Sequence, residues 1–251
     1  MRVFIFKDAS SASKHVSGYF HEWLEKKPNT IFGLPSGGTP KGVYKRLIKA
    51  YQNQEISFSK AVAFNLDEYI KLSKDHPQSF ASMMDENFFA HVDFKKEARH
   101  IPSGVAPDPL AECQRYTSLI KASGGIDLMF LGIGGNGHIG FNEPDDHFKL
   151  NTHLTTLDER TQAANARFFD DKNEVPNQAI TMGIKEIMNS KMIVLLALGS
   201  RKAEIMKRLL TSDRVTPQLP ASILHLHQNV HIVMDEAAAQ LYQEGESHDR
   251  D

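Results

Sequence analysis

IDLMFLGIGGNGHIGFNEP, residues 126–144, is the stretch that decides the fold. Its first half, Ile126–Ile133, is an almost unbroken apolar run that reads as a strand buried on both faces, as in a parallel sheet. Its second half is a glycine-rich turn. GIGGNG (132–137) formally matches the dinucleotide pattern G-x-G-x-x-G, but that pattern needs a helix opening at its third glycine. Here HIGFNEP follows, and Gly140 and Pro144 stop any helix early. The turn instead offers a polar set: Asn136, His138, Asn142 and Glu143. His138 is a natural general acid/base near neutral pH, with Glu143 or Asn136 available to orient its ring.

Working outward, strands and helices alternate. Strands are predicted at Val3–Phe6, Thr30–Leu34, Ala61–Leu66, Met192–Leu198 and Val230–Met234. Helices are predicted at Ser10–Lys27, Lys41–Tyr51, Ser79–Ala90, Leu110–Ala122, Asp158–Phe168 and Gly183–Asn189, in GSRKAEIMKRLL, and from Glu236 onward. This alternation implies an α/β fold, a three-layer α/β/α Rossmann-like sandwich with a mainly parallel sheet. It reads as a single domain over residues 1–251 with a short polar tail from about 243.

Such sheets bind ligands where strands give way to helices at their carboxyl ends. GLPSGGTP (33–40) is one such loop. Gly37 and Gly38 let the backbone approach a ligand, Ser36 adds a hydroxyl, Thr39 reads as a helix cap and Pro40 as a first helical residue. Together they suit an anion. NLDEYIKL (65–72) follows a strand and carries Asp67 and Glu68, of which an extended chain turns only one into a crevice. Burial would raise that carboxyl's pKa and suit it to proton transfer. Lys202 stands at a helix start, where a cation does not help the helix, so phosphate binding is the better reason for it, with Arg201 as its competitor. Arg167 is a second phosphate cation or a helix-end surface charge. His225 and His227 form a possible metal pair without a third ligand and read as structural; Cys113 reads as packed.

Composition closes other routes. With 29 Lys+Arg against 31 Asp+Glu, a net charge of −2, the chain lacks the basic excess of a nucleic-acid binder. No apolar run approaches the roughly 20 residues of a membrane span, and the start is too short for a signal core. One cysteine gives no disulfide framework. The expectation is a cytoplasmic protein with a small-molecule partner and no nucleic acid or membrane, monomer or homo-oligomer left open. No metal set and no cofactor fingerprint survives, which leaves proton-transfer chemistry on a phosphorylated small molecule.

GLPSGGTP, FNLDEY, LGIGGNGHIGFNEP, ANARFF and LGSRKA, in this order and spacing, resemble the glucosamine-6-phosphate deaminases. The resemblance runs from Val3 to about Glu236 and includes HPQSFASMMDENFF, AECQRY and HLHQNVHIVMDE. It implies conversion of glucosamine 6-phosphate and water to fructose 6-phosphate and ammonia, without a redox cofactor. It implies that Asp67 moves a proton from carbon 2 to carbon 1, that His138 opens the sugar ring and that Glu143 supports it. Ser36, Gly37, Gly38, Arg167 and Lys202 fall on phosphate-binding positions, and Thr39, in the same loop, is expected to bind substrate with them. Asn136 stands where some members carry Asp; it would orient His138 without stabilising an imidazolium by charge. Longer members have a further C-terminal segment and an allosteric N-acetylglucosamine 6-phosphate site, which the short C-terminus here argues against. The alternatives are a galactosamine-6-phosphate deaminase, a 6-phosphogluconolactonase, and a sugar-phosphate-sensing domain.

Overall fold

The run at residues 128–131 becomes β6 (Leu128–Leu131), and its side chains show how the layers are built. Leu128 and Phe130 pack into one apolar cluster, Met129 and Leu131 into another, because successive residues of a strand point to opposite faces. A computed structural model describes residues 1–166, 169 and 174–248. In it β1 (Arg2–Phe6), β2 (Ile31–Leu34), β3 (Val62–Asn65), β5 (Arg99–His100), β6, β9 (Met192–Ala197) and β10 (Val230–Asp235) form one sheet, ordered β1-β10-β9-β6-β2-β3-β5. Every pairing in it is parallel.

Helices α1 (Ala9–Lys26), α2 (Lys41–Gln52) and α3 (Phe80–Asn87) cover one face, burying Val16, Phe20, Val43, Leu47 and Met84. Helices α4 (Pro109–Ala122), α6 (Ile184–Met188), α7 (Ala203–Thr211) and α8 (Glu236–His248) cover the other, burying Tyr116, Ile187, Met206 and Ala238. The expected three-layer α/β architecture is therefore present. The ends are set locally: Asp8 caps α1 by accepting from the Ser11 N–H at 2.7 Å, and Asp108 caps α4. α8 runs on through the stretch from Gln243 that the sequence suggests as a polar tail.

Beneath the sheet, at the opposite end from the strands' carboxyl termini, Asp127 ties three segments together. Its carboxylate accepts from Lys27 Nζ at 2.6 Å, Lys191 Nζ at 2.8 Å and the Ile31 N–H at 2.8 Å. Burial alone would raise its carboxyl pKa; these three donors outweigh burial and hold it low.

A second sheet was not anticipated. β4 (Asp67–Tyr69), β7 (His153–Thr156) and β8 (Gln178–Thr181) pair antiparallel in the order β4-β8-β7. NLDEY is thus not a loop: the chain leaves β3 and enters β4 through Leu66 alone. The Leu66 N–H donates to the Leu34 carbonyl of the large sheet at 3.3 Å, and its own carbonyl accepts from the Met182 N–H at 2.7 Å.

Candidate active site

The loops after β2, β6 and β9 and the start of β4 open together, because β9, β6, β2 and β3 are consecutive neighbours in the parallel sheet. They enclose a cleft of about 390 Å³ whose walls include Ser36, Gly37, Gly38, Thr39, Asp67, Asn136, His138 and Lys202. Three features predicted separately from sequence thus share one site.

In the first loop Gly37 sits at φ +90°, a conformation that only glycine adopts readily. The expected cap is corrected: α2 begins at Lys41 with Pro40 as its N-cap residue, and Thr39 makes no side-chain cap bond. Thr39 lines the cleft instead. Of the two cations at the start of α7, Lys202 faces the cleft and Arg201 does not line it; the Lys202 ammonium donates to the Ile133 carbonyl. Arg167 lies outside the described residues.

Asp67 and Glu68 separate as strand geometry requires. Asp67 is 7% exposed and lines the cleft. Burial pushes its carboxyl up to about 8; the nearby Glu68 adds to this, and a hydrogen bond from the Ser36 side chain works against it. Glu68 turns the other way and accepts from the N–H groups of Tyr69, Phe80 and Ala81 at 2.8, 2.9 and 2.9 Å, tying β4 to the first turn of α3. Burial raises it to about 7, against the pull of those donors.

The glycine-rich turn places His138 through backbone that side chains would forbid. Gly137 and Gly140 have φ of +91° and +57°, and a Cβ on Gly134 would overlap the His138 ring. The FNEP segment is pinned to the small sheet: the Phe141 N–H donates to Thr181 Oγ1 at 3.0 Å, and the Asn142 amide donates to the Ile139 and Met182 carbonyls, each at 2.8 Å. This fixes Glu143 beside His138, with His138 Nδ1 3.1 Å from Glu143 Oε2. Asn136 does not reach the ring. Its amide donates to Glu143 Oε2 at 2.6 Å and its Oδ1 accepts from the His138 N–H at 3.2 Å. Glu143 is therefore the ring's partner, and Asn136 acts on it from behind. Burial pushes the Glu143 carboxyl up, but the hydrogen bonds from His138 and Asn136, with the nearby Thr161 hydroxyl, outweigh it and hold it below the ordinary carboxylate value.

Helix α5 (Glu159–Asn165) supplies residues that sequence reasoning missed. Arg160, Thr161 and Asn165 line the cleft. The signal was faint: Thr161 and Asn165 are four apart and so share a helix face, in a segment with no apolar stripe. His225 and His227 face backbone carbonyls of Leu209 and Ser190 at 2.9 and 2.7 Å, and they straddle the end of a 3₁₀ segment (Pro220–Leu226) rather than an extended one. Cys113 is buried, and burial raises its thiol pKa.

What the site offers is a buried carboxyl with raised basicity, a histidine–carboxylate pair, and a glycine loop with a lysine across from them. That set suits proton transfer on an anionic small molecule. The family model described as glucosamine-6-phosphate isomerases/6-phosphogluconolactonase matches residues 7–233. A glucosamine-6-phosphate deaminase from Thermoanaerobacter sp. (strain X514) is 49% identical over 241 residues, 96% of this chain and 95% of that protein. Its namesake from Clostridium novyi (strain NT) is 48% identical over 239 residues, 95% of this chain and 99% of that one. The solved structure of a monomeric glucosamine-6-phosphate deaminase superposes with a TM-score of 0.94 at 43% identity, covering 96% of this chain and 100% of that one. A 6-phosphogluconolactonase from Trypanosoma brucei superposes over 95% of this chain and 97% of its own, at a TM-score of 0.75 with 18% identity, a likeness of fold alone.

Proposed function

The chain belongs to the glucosamine-6-phosphate isomerase/6-phosphogluconolactonase family, and from that we propose that its cleft converts glucosamine 6-phosphate and water to fructose 6-phosphate and ammonia. The observation that carries the reading is that Asp67 and His138 open into the same cleft as the Ser36–Thr39 loop and Lys202.

The phosphate is assigned to Ser36, Gly37, Gly38, Thr39 and Lys202, with Arg167 as a further cation from sequence. Holding it there spends remote binding energy on placing carbons 1 and 2 against the base. His138, with Nδ1 turned to Glu143, moves the proton that opens the pyranose to its aldehyde form; Asn136 steadies Glu143 in that task. Ionised Asp67 then takes the proton from carbon 2, which the adjacent carbonyl acidifies, and an enolamine forms. The same carboxyl returns the proton to carbon 1, leaving an imine at carbon 2. Water adds there, the carbon–nitrogen bond breaks, and ammonia leaves as the ketose forms. Burial suits Asp67 to both halves: it raises basicity for the first and shields the captured proton from solvent for the second. The steps are ring opening, proton transfers, an addition of water and the break of the carbon–nitrogen bond, with no net change of oxidation state, so the chemistry calls on no redox cofactor and is hydrolytic at that bond. The reading extends to one catalytic unit acting in the cytoplasm on a diffusible sugar phosphate; among the described residues no helix is long and apolar enough to cross a membrane.

The test is ammonia release from glucosamine 6-phosphate and galactosamine 6-phosphate side by side, with 6-phosphogluconolactone hydrolysis as a third arm. Ammonia from the first substrate, well above the second, is the expected result. No ammonia from either would overturn the reading.

A further inference from the structure

We propose that Thr161, through its hydroxyl, is the positioning residue that locks the His138–Glu143 pair. Thr161 is 5% exposed and sits on α5, a wall of the cleft separate in sequence from the turn that carries the pair. Its Oγ1 lies 3.4 Å from His138 Nδ1, the edge of the ring that also faces Glu143.

A buried helical threonine ordinarily turns its hydroxyl back to the carbonyl four residues earlier. Here that carbonyl, Leu157, accepts instead from the Gln162 amide at 2.8 Å, while the Thr161 hydroxyl points at the pair. The hydroxyl has one proton to donate and lone pairs to accept with. Lying beside Nδ1 of His138, it gives the Nδ1 edge of the ring a second polar neighbour next to Glu143. Without it, Asn136 and His138 converge on the single oxygen Oε2 of Glu143. A carboxylate held at one oxygen is free to pivot about it, and the imidazole would turn with it. Thr161 holds the Nδ1 edge of the ring from α5, so a pivot of the carboxylate need not carry the imidazole with it and the ring nitrogen facing the cleft stays aimed at the sugar. It also makes the ring's orientation follow the position of α5.

The rate consequence rests on the reading of His138 as the ring-opening group; the positional consequence does not. Thr161→Val keeps the side chain's shape and removes the hydroxyl, Thr161→Ser keeps the hydroxyl, and Thr161→Ala serves if the valine variant does not fold. For glucosamine 6-phosphate, kcat is expected to fall about tenfold in the valine or alanine variant while KM stays within about twofold, and the serine variant to keep at least about half of the wild-type rate. In unliganded protein, the His138 Nδ1 proton resonance is expected to be the same in wild type and serine variant, and displaced or lost to exchange without the hydroxyl. A hydroxyl-free variant with kcat within twofold of wild type, a serine variant as slow as it, or an unmoved resonance would overturn the proposal. Wild-type protein that releases no ammonia would sink the functional reading, and the resonance would still decide whether Thr161 holds the ring.

Discussion

Replacing Asp67 with asparagine should make the protein more stable and nearly inactive, and the gain should grow with pH. The carboxyl is 7% exposed and raised by burial, with Glu68 adding to it, from an ordinary 3.8 to about 8. The folded protein therefore binds this proton more tightly than the unfolded chain does. Stability associated with it is fully present below 3.8 and is lost as pH climbs toward 8. At roughly 1.4 kcal/mol per unit, the full cost reaches at most about 6 kcal/mol above pH 8. Between about pH 5.5 and about pH 8.5 the ramp is at most about 3 kcal/mol, and relaxation around the site makes 1–3 kcal/mol the expected order. Asp67→Asn removes the ramp. Urea unfolding of both proteins at the two pH values measures it: the variant should gain on wild type at the higher value by that amount. Turnover should fall by at least about a hundredfold. Two proteins whose unfolding free energies change in parallel with pH would refute the argument, since the carboxyl would then ionise as cheaply as a solvated one.

Four further outcomes follow from the same geometry. The acidic limb of kcat/KM should lie well above the ordinary carboxylate range, and Glu68→Gln should move it to lower pH, because removing a neighbouring negative charge eases ionisation of Asp67; a limb that stays put would show that Glu68 is not felt there. Gly134→Ala should leave the fold cooperative by circular dichroism but cut kcat by about tenfold or more, since the added methyl pushes the His138 ring away from Glu143. Lys202→Ala should raise KM for the sugar phosphate by about tenfold or more with a smaller effect on kcat, the mark of a lost binding contact. Asp127→Ala should cost about 2 kcal/mol in urea unfolding, because the buried Ile31 N–H loses its acceptor, while KM and kcat stay near wild type.

The large sheet was legible because its strands are apolar on both faces and its helices carry apolar stripes. Leu128–Leu131 and Met192–Ala197 could hardly be anything else. The loops after β2 and β6 were legible because glycine pairs and a histidine among glycines are costly unless backbone must bend there. The small sheet was hidden for the converse reason. β4, β7 and β8 are three or four residues each, mix polar with apolar positions, and pair across long stretches of chain, so no local period marks them. Asp67 was found from its place after β3, but the antiparallel strand that presents it was not. The choice between Asn136 and Glu143 as partner of His138 depended on side-chain reach across a tight turn, which residue types alone leave open. Thr161 is the hardest case: a common residue in a polar segment, made functional by where α5 comes to rest.

Leu66 gives the two sheets a shared fate. Its N–H is bound into the large sheet and its carbonyl into the small one, with Asp67 next in the chain. In hydrogen-exchange terms, the amides of Leu66 and Met182 are coupled: neither sheet can fray at this point without breaking a bond that the other depends on. Exchange at both should report one concerted opening, and any fluctuation large enough to expose them also displaces Asp67. Catalytic competence and protection at these two amides should thus be lost in the same event as denaturant is raised.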